Sequence, residues 1–145
     1  MTGIPDLTPR PRAVTDGHFH YIRNYLPDQP WGQHEDYQWK QSSQRECEQL
    51  FRAGKLNATQ RAFFEPKPVE ELSDDVADPD NVHNLVNDPA QRVTRDRLRA
   101  ALHGEMLRLR DTGFMPEPMM IALAGGKSPT TITADAGRYP LARIL

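Results

Sequence analysis

The chain has 145 residues, a formal charge of −2 and 37% hydrophobic residues, which allows one domain with a modest core. Its 18 basic and 20 acidic side chains nearly balance, so no long-range field attracts nucleic acid or a membrane, and any polyanion binding has to be local. No stretch approaches the roughly 18 apolar residues of a membrane span, and the first residues lack the apolar region of a signal peptide.

A β-hairpin is predicted for residues 12–25, RAVTDGHFHYIRNY, because its Asp-Gly pair favours a tight turn and aromatic and β-branched residues alternate afterwards. The alternation places Phe19 and Tyr21 on one face and His18 and His20 on the other. Two imidazoles on one strand face could bind zinc, although the sequence supplies no clear third ligand. The alternative interpretation is a pair of surface histidines, and both stay open at this point.

An irregular loop with aromatic anchors follows, and then the first helical pattern, SSQRECEQLFRAGKL at residues 42–56. Ser42 or Ser43 could cap its start, Glu46 is placed for a capping box, and Gly54 lies at the exit. Its apolar side is narrow and consists of Cys47, Leu50 and Phe51. Because Cys47 is the only cysteine, the sequence excludes an intrachain disulfide and a cysteine-based zinc site.

Residues 57–68 contain a second short helical turn, and Val69 to Leu72 is predicted to be a short strand. The Asp-Pro pair at residues 88–89 predicts the start of a long helix that runs to about Arg110. One side of this helix should lie on a sheet, along a stripe of Thr94, Leu98, Ala101, Leu102 and Leu109. The fold class is therefore α+β: a small antiparallel β-sheet packed against one long helix.

The remaining segment changes in character. MPEPMM at residues 115–120 is predicted to be a break, AGGKSPTTITADAG at 124–137 a flexible tail, and RYPLARIL at 138–145 the start of another element. AGGKS resembles part of a phosphate-binding loop, but Ile121 stands where that motif requires glycine. The phosphate-loop interpretation is therefore set aside.

The run VEELSDDVADPDNVHNLVNDP, residues 69–89, holds seven carboxylates and invites a calcium interpretation. An EF-hand loop that began at Asp74 would have Val76 at its third position, Pro79 at its sixth and Leu85 at its twelfth. The motif requires an oxygen ligand, glycine and glutamate there. We therefore interpret these carboxylates as solvated turn residues of a scaffold.

Several segments in a fixed order carry a family resemblance: RAVTDGHFHYIRNYLPDQP, LFRAGKLNATQRAFFEPKPVEELSD, ADPDNVHNLVNDPA, LRAAL and DTGFMPEP. From about Arg12 to Pro118 the chain resembles the C-terminal portion of a sulfatase of the alkaline phosphatase superfamily, close to bacterial arylsulfatases and heparan N-sulfatases. The resemblance implies that EEL ends a small antiparallel sheet and that the long helix packs across it. Where the family pattern has an aromatic residue and a leucine, this chain has Ser73 and Asp75.

In that family, hydrolysis of sulfate esters or sulfamates uses a formylglycine, made in a C/S-x-P/A-x-R motif, beside a calcium ion. Neither cofactor can be assigned to this chain, because Cys47 is followed by Glu48, Gln49 and Leu50. No catalytic or metal-binding residue is therefore predicted, and the chain is expected to be inactive alone. The resemblance also implies a family that is usually exported, which leaves the location of this chain undetermined.

The resemblance divides the chain into a disordered or truncated N-terminus at 1–11, a sulfatase C-terminal subdomain at 12–118, and a tail or extension at 119–145. The implied partner is an N-terminal catalytic sulfatase domain, and a sulfated substrate binds only in the intact enzyme. His18, His20 and Trp31 are the candidate border of the substrate cleft. The alternative function is a stand-alone binding module whose candidate ligands are sulfated glycans, without nucleic-acid or membrane partners.

Overall fold

The computed structural model describes residues 11–128, 130–133, 137 and 139–145. The predicted N-terminal segment lies outside the described residues except for Pro11. Three strands form one antiparallel sheet in the order β1-β2-β3, with β1 at Pro11–Thr15, β2 at Phe19–Asn24 and β3 at Glu70–Asp74. No helix among the described residues is both long and apolar enough to span a bilayer.

The predicted hairpin is confirmed, because β1 and β2 pair in antiparallel register with Val14 opposite Tyr21. The turn depends on its Asp-Gly pair. The Asp16 carboxylate accepts hydrogen bonds from the backbone N–H groups of His18 and Phe19 at 3.0 and 2.8 Å. Gly17 has a φ of +91°, which residues with a side chain rarely adopt.

The strand predicted at Val69 to Leu72 is confirmed with shifted ends, since β3 begins at Glu70 and continues to Asp74. Tyr21 of β2 lies opposite Leu72, and both are completely buried. The outer edge of β3 is covered by the chain that follows it: the Asn84 side chain accepts from Leu72 N–H, and Leu85 N–H donates to the Leu72 carbonyl. The sheet therefore presents no long open edge on this side.

The long helix, α3, spans Arg92–Leu109 and packs against β1 and β2. Its start agrees with the prediction: Asp88 accepts from Ala90 N–H and caps a 3-10 turn at Pro89–Gln91, which leads into the helix. The main hydrophobic cluster joins one face of α3 to the sheet and the loop that precedes the helix. Its buried members are Tyr21, Leu72, Val86, Leu98, Leu102 and Met106.

The predicted stripe on α3 is correct at Leu98 and Leu102, and it is wrong at Ala101 and Leu109, which are exposed. The residues that face the sheet recur every four positions and continue to Met106, which the prediction omitted. Ala101 and Leu109 each lie three positions beyond a member of that series. They are therefore turned to its side, away from the sheet.

Two short helices lie between β2 and β3: α1 at Ser42–Arg52 and α2 at Ala58–Arg61. The serine cap predicted for α1 is wrong, because the helix begins one residue earlier, at a Gln41 N-cap without a side-chain hydrogen bond. Cys47 is exposed and does not belong to a buried apolar side. The exit is as predicted: Gly54 has a φ of +66°, and Lys55 N–H donates to the Leu50 carbonyl, as in a Schellman motif.

Beyond α3 the described residues form three helices: α4 at Glu117–Ala124, α5 at Thr130–Thr133 and α6 at Leu141–Ile144. The predicted break at MPEPMM covers the start of α4, where Pro116 is the N-cap. Part of the predicted tail, residues 129, 134–136 and 138, lies outside the described residues. A second buried cluster holds these helices together, and its members are Met115, Ala124, Ile132, Tyr139 and Leu141.

Candidate functional site

A pocket of about 550 Å³ lies between the Trp31 loop, α2 and the segment that leads into β3. Trp31 is 40% exposed, and Phe63 lies beside it in the same wall. The wall is close-packed at its base, because Gly32 N–H donates to the Phe63 carbonyl at 2.7 Å. A Cβ at Gly32 would come within 2.6 Å of the Phe63 ring, so only glycine allows the two segments to approach.

Lys67 is buried in the same wall, and its ammonium nitrogen lies 4.4 Å from the centroid of the Trp31 ring. Within the described part of the chain this nitrogen has no hydrogen-bond acceptor. Burial lowers the pKa of Lys67, and the nearby carboxylates of Glu71 and Asp28 oppose that shift. The cation is therefore held mainly against one face of the indole.

A second pocket, of about 450 Å³, is lined by three guanidinium groups, from Arg23 on β2 and from Arg95 and Arg99 on α3. Glu70 is the carboxylate in its wall; it accepts from Arg23 Nη1 at 2.7 Å and from Arg99 Nη2. The amide of Asn87 also lies in the wall. With three positive charges and one negative charge, the lining of this arginine pocket is cationic.

The electrostatics of the arginine pocket centre on Glu70. Burial alone would raise the pKa of Glu70, but hydrogen bonds and charge from Arg99, with help from Tyr21 and Arg23, lower it overall. The same contact with Glu70 raises the pKa of Arg99. Glu70 is therefore ionised at neutral pH, and it orients two of the three guanidinium groups.

The two pockets adjoin, because Pro68 and Asn84 line both of them. Asn84 is fixed at this boundary by three hydrogen bonds: its amide nitrogen donates to the Glu70 carbonyl, and its oxygen accepts from Leu72 and Val86 N–H. Glu71 lines the aromatic pocket beside Trp31 and Glu70 lines the arginine pocket, so strand alternation places the two pockets on opposite faces of the sheet, with Pro68 and Asn84 between them.

The three residues predicted to border a cleft lie at different places. His18 belongs to the hairpin turn rather than to β2, and its Nε2 lies 3.1 Å from Asp74 Oδ1. His20 is in β2, opposite Ser73. Trp31 lies in the loop after β2, in the wall of the aromatic pocket. The predicted His18 and His20 pair is thus not a pair within one strand, because the strand begins at Phe19.

Several carboxylates of the acidic run accept hydrogen bonds within the protein, so the prediction that the run is solvated is only partly right. Asp74 accepts from Val76 and Ala77 N–H, and Asp78 accepts from His83 N–H at 2.7 Å. Among the described residues, no group of three or more His, Cys, Asp or Glu side chains is arranged to hold a metal ion. These contacts support the scaffold interpretation of the run.

Neither the arginine pocket nor the position of Lys67 was predicted from the sequence. One signal was present, since Arg92, Arg95 and Arg99 are spaced three and four residues apart and so share one side of the predicted helix. The partners from β2 and β3 could not be identified from that spacing. They become neighbours only through the pairing of Arg23 with Glu70 across the sheet.

A scan against protein-family models finds no match. The chain is 36% identical over 126 residues to an ulvan-active sulfatase from Formosa agariphila, and the match covers 86% of this chain. It covers 21% of that relative, so the chain spans about a fifth of the relative's length. The chain is therefore similar to this sulfatase over most of its own length and corresponds to a portion of it, consistent with the C-terminal portion that its motifs predict.

Proposed function

We propose that the chain is the C-terminal structural subdomain of a sulfatase-like hydrolase, which in its intact form cleaves sulfate esters or sulfamates. The relation to an ulvan-active sulfatase supports this role, and a sulfated polysaccharide of the ulvan type is the proposed substrate class. No C/S-x-P/A-x-R segment occurs among the 145 residues. The chemical step therefore depends on residues supplied by a catalytic part.

The observation that carries this proposal is a sheet whose apolar side chains are buried by a helix on one face only, although Ser73 and Asn24 are buried on the other. Phe19, Tyr21 and Leu72 face α3 and belong to or pack against the main hydrophobic cluster. Ala13 and Ile22 point to the other face of the sheet, and they belong to neither hydrophobic cluster of the described residues. We call the surface that contains them the open face; it is formed by Ala13, Thr15, His20, Ile22, Glu71 and Ser73. A sheet face of this kind can pack on a catalytic domain.

Formylglycine and calcium are the cofactors of the proposed whole enzyme, and the described residues do not fit either. Cys47 lacks the sequence motif that surrounds a formylglycine precursor. The carboxylates of Asp74 and Asp78, in the acidic run, already accept hydrogen bonds from backbone N–H groups. The proposed contribution of this chain is mechanical: it fixes the position of the catalytic domain through the open face.

His20 and Trp31 have separate proposed roles. His20 lies on the open face, and we assign it to the contact with the catalytic domain. Trp31 is half-exposed in a pocket wall, and we assign it to the border of the substrate cleft. His18 is held by Asp74 at the hairpin turn, and we keep it as a third border residue.

The test is a chimera in which this chain replaces the matching segment of the Formosa agariphila sulfatase. We expect a soluble chimera that hydrolyses a sulfate ester. Ile22→Asp should abolish its activity, since it places a charge in the proposed contact. Val93→Asp makes the same chemical change on the exposed side of α3, where Val93 is 76% exposed, and it should leave activity unchanged.

An inactive parent chimera, or equal activity of the two variants, would contradict the proposed role. A separate expectation concerns the isolated chain, which should not turn over an aryl sulfate. In the active chimera, Trp31→Ala should raise KM and leave kcat nearly unchanged, because the ring borders the cleft without touching the reacting bond.

A further inference from the structure

The arginine pocket lies on the face of the sheet that α3 covers. Arg23 is two residues along β2 from the buried Tyr21, so strand alternation directs both side chains to the same face. Arg95 and Arg99 reach the pocket from α3 itself. A ligand of this pocket therefore approaches on the side opposite the open face, where the contact with the catalytic domain is proposed.

Arg23 keeps one complete edge of its guanidinium group without an acceptor. Its Nη1 donates to Glu70 at 2.7 Å, and the group lies over the Tyr25 ring. Within the described part of the chain, its Nε and Nη2 have no acceptor, and 33% of the side-chain surface is exposed. These two nitrogens form the edge of a guanidinium that binds both oxygens of a planar carboxylate.

The same edge of another arginine already binds a carboxylate in this protein. Arg12 donates through Nε and Nη2 to the two oxygens of Asp111, and its Nη1 donates separately to the Pro11 carbonyl. Arg23 has the same arrangement at Nη1, which Glu70 occupies, but its other edge has no acceptor among the described residues. The comparison indicates that a carboxylate is the group that matches this edge.

Two further donors lie in the same lining. Arg95 donates through Nε to Asp96 and through Nη1 to the Val86 carbonyl, which leaves its Nη2. Asn87 is exposed, and its side chain makes no hydrogen bond within the described part of the chain. The pocket can therefore donate to a carboxylate from β2, from α3 and from the loop that precedes α3.

The charge of the pocket also matches one carboxylate. Glu70 is shared between Arg23 and Arg99. Asp96 is shared between Arg95 and Arg99. Three guanidinium groups against two carboxylates leave an excess of one positive charge. The whole chain has a formal charge of −2, so this excess is local and does not belong to a generally basic surface.

The rest of the lining favours a peptide over a sugar as the bearer of that carboxylate. Val69 is 48% exposed and offers an apolar contact beside the donors. Among the described residues that line the pocket, none is aromatic, whereas sugar rings pack on exposed aromatic faces. The volume of about 450 Å³ also admits more than a carboxylate group alone. An acidic side chain with apolar neighbours fits these features.

We propose that the arginine pocket is a docking site for an acidic peptide segment of a partner polypeptide. A glutamate or aspartate side chain of the partner accepts hydrogen bonds from Nε and Nη2 of Arg23. Arg95 and Asn87 donate to the same carboxylate or to the peptide carbonyls beside it, and an apolar neighbour packs on Val69. This interaction goes beyond the proposed sulfatase role, because it uses the face away from the catalytic domain and involves no sulfated group.

The test is an NMR titration of the full isotope-labelled chain with two capped pentapeptides near physiological salt. One peptide has a central glutamate between two valines, with a glycine at each end, and the other has glutamine in place of the glutamate. The glutamate peptide should shift the Nε–H signal of Arg23 and the backbone N–H signal of Val69. The glutamine peptide should bind at least about tenfold more weakly, because the charge-assisted hydrogen bonds are lost.

Two variants test the assignment of the donors. Arg23→Lys keeps the positive charge but removes the planar edge with its two donors, so it should weaken binding about tenfold. Arg108→Lys is the matched control: it makes the same change on the exposed side of α3 and should alter affinity less than about twofold. Asn87→Asp adds a negative charge to an exposed side chain without hydrogen bonds, so it should keep the fold and weaken binding about tenfold.

Equal affinity of the two peptides would overturn the proposal, and so would equal effects of Arg23→Lys and Arg108→Lys. Unchanged affinity in Asn87→Asp would contradict it as well. Trigalacturonate, an unsulfated sugar with carboxylates, should bind more weakly than the glutamate peptide, and tighter binding would identify a glycan site instead. All of these measurements use the chain alone, so their failure is distinct from failure of the chimera.

Discussion

The two faces of the sheet differ in how the protein covers them. On one face, Tyr21 and Leu72 are completely buried beneath α3. On the other, Ala13 and Thr15 are exposed, Ile22 is half-buried and Ser73 is buried. Successive side chains of a strand point to opposite faces, so either face could bury apolar groups. Among the described residues, only one face is covered by a helix. We propose that the covered face stabilises the chain and that the opposite face attaches to the catalytic domain.

The family pattern strengthens this comparison. Ser73 stands where the resemblance predicts an aromatic residue, and it lies opposite His20 on the open face. Asp75, which replaces a leucine, continues the pairing beyond β3 through its N–H bond to the His18 carbonyl. Both replacements therefore make the side opposite α3 more polar, although Ser73 is itself buried there, and they leave the face beneath α3 unaffected.

The largest expected effect comes from truncating one aliphatic side chain on each face. Leu72→Ala should lower the free energy of unfolding by about 2 to 5 kcal/mol, because it leaves a cavity beneath α3. Ile22→Ala on the open face should cost about 1 kcal/mol or less, since the site is already half-exposed. Urea unfolding of the isolated chain measures both, and equal losses would remove the distinction between the faces.

The second prediction concerns Glu70, whose ion pairs with Arg23 and Arg99 connect β3 to β2 and α3. Glu70→Gln should lower stability by about 1 to 3 kcal/mol at neutral pH, because charge-assisted hydrogen bonds are lost. The pKa of Glu70 is lowered in the folded protein, so its contribution is complete above the ordinary pKa of about 4.3 and is lost as pH falls through the folded value.

The measurement is urea unfolding of Glu70→Gln and the unmodified chain at about pH 7 and at progressively lower pH. The difference between the two proteins should shrink below about pH 4. A difference that stays constant down to about pH 2 would show that the carboxylate charge is not what connects the elements.

The third prediction addresses the polar open face. One oxygen of Asp75 is buried without a hydrogen-bond partner in the described part of the chain. Asp75→Leu should therefore raise the free energy of unfolding by about 1 kcal/mol, because it removes an unsatisfied buried acceptor. Asp80→Leu replaces an exposed carboxylate in the same loop and should give no gain. A destabilised Asp75→Leu protein in thermal unfolding would contradict this account.

The smallest effect is expected on the covering helix itself. Gly104 lies within α3, and a Cβ added there meets no atom within 4 Å. Gly104→Ala should stabilise the chain by about 0.5 to 1 kcal/mol, since alanine loses less backbone freedom in a helix. Gly54→Ala is the opposing control, because the φ of +66° at that position strains a side chain. A melting temperature that falls in both variants would be inconsistent with this assignment.

The local devices were predictable because each depends on a few neighbouring residues. The Asp16-Gly17 turn, the Asp88 cap and the Gly54 exit all act within a few positions and appear as predicted. The serine cap of α1 was wrong because Gln41 entered the N-cap position instead. A single residue of shift at a helix start is not specified by capping chemistry alone.

Contacts between residues distant in the sequence were predicted less well. The buried side of α3 was only partly predicted, because the position of each residue relative to the sheet decides its burial, and hydrophobicity alone does not. Leu109, for example, is apolar and still exposed. Of the border residues, Trp31 lies in a pocket wall, whereas His18 lies at the hairpin turn on Asp74. Their assignment to a substrate cleft remains a proposal.

By itself the sequence determined the hairpin, the long capped helix, the α+β class and the similarity to a sulfatase, because these depend on local chemistry and on ordered motifs. Tertiary structure alone decided which face of the sheet is covered and that Arg23, Arg95 and Arg99 line one pocket. The physical reason is that strand pairing and helix packing bring together residues separated by more than 70 positions, and local sequence patterns do not predict such contacts.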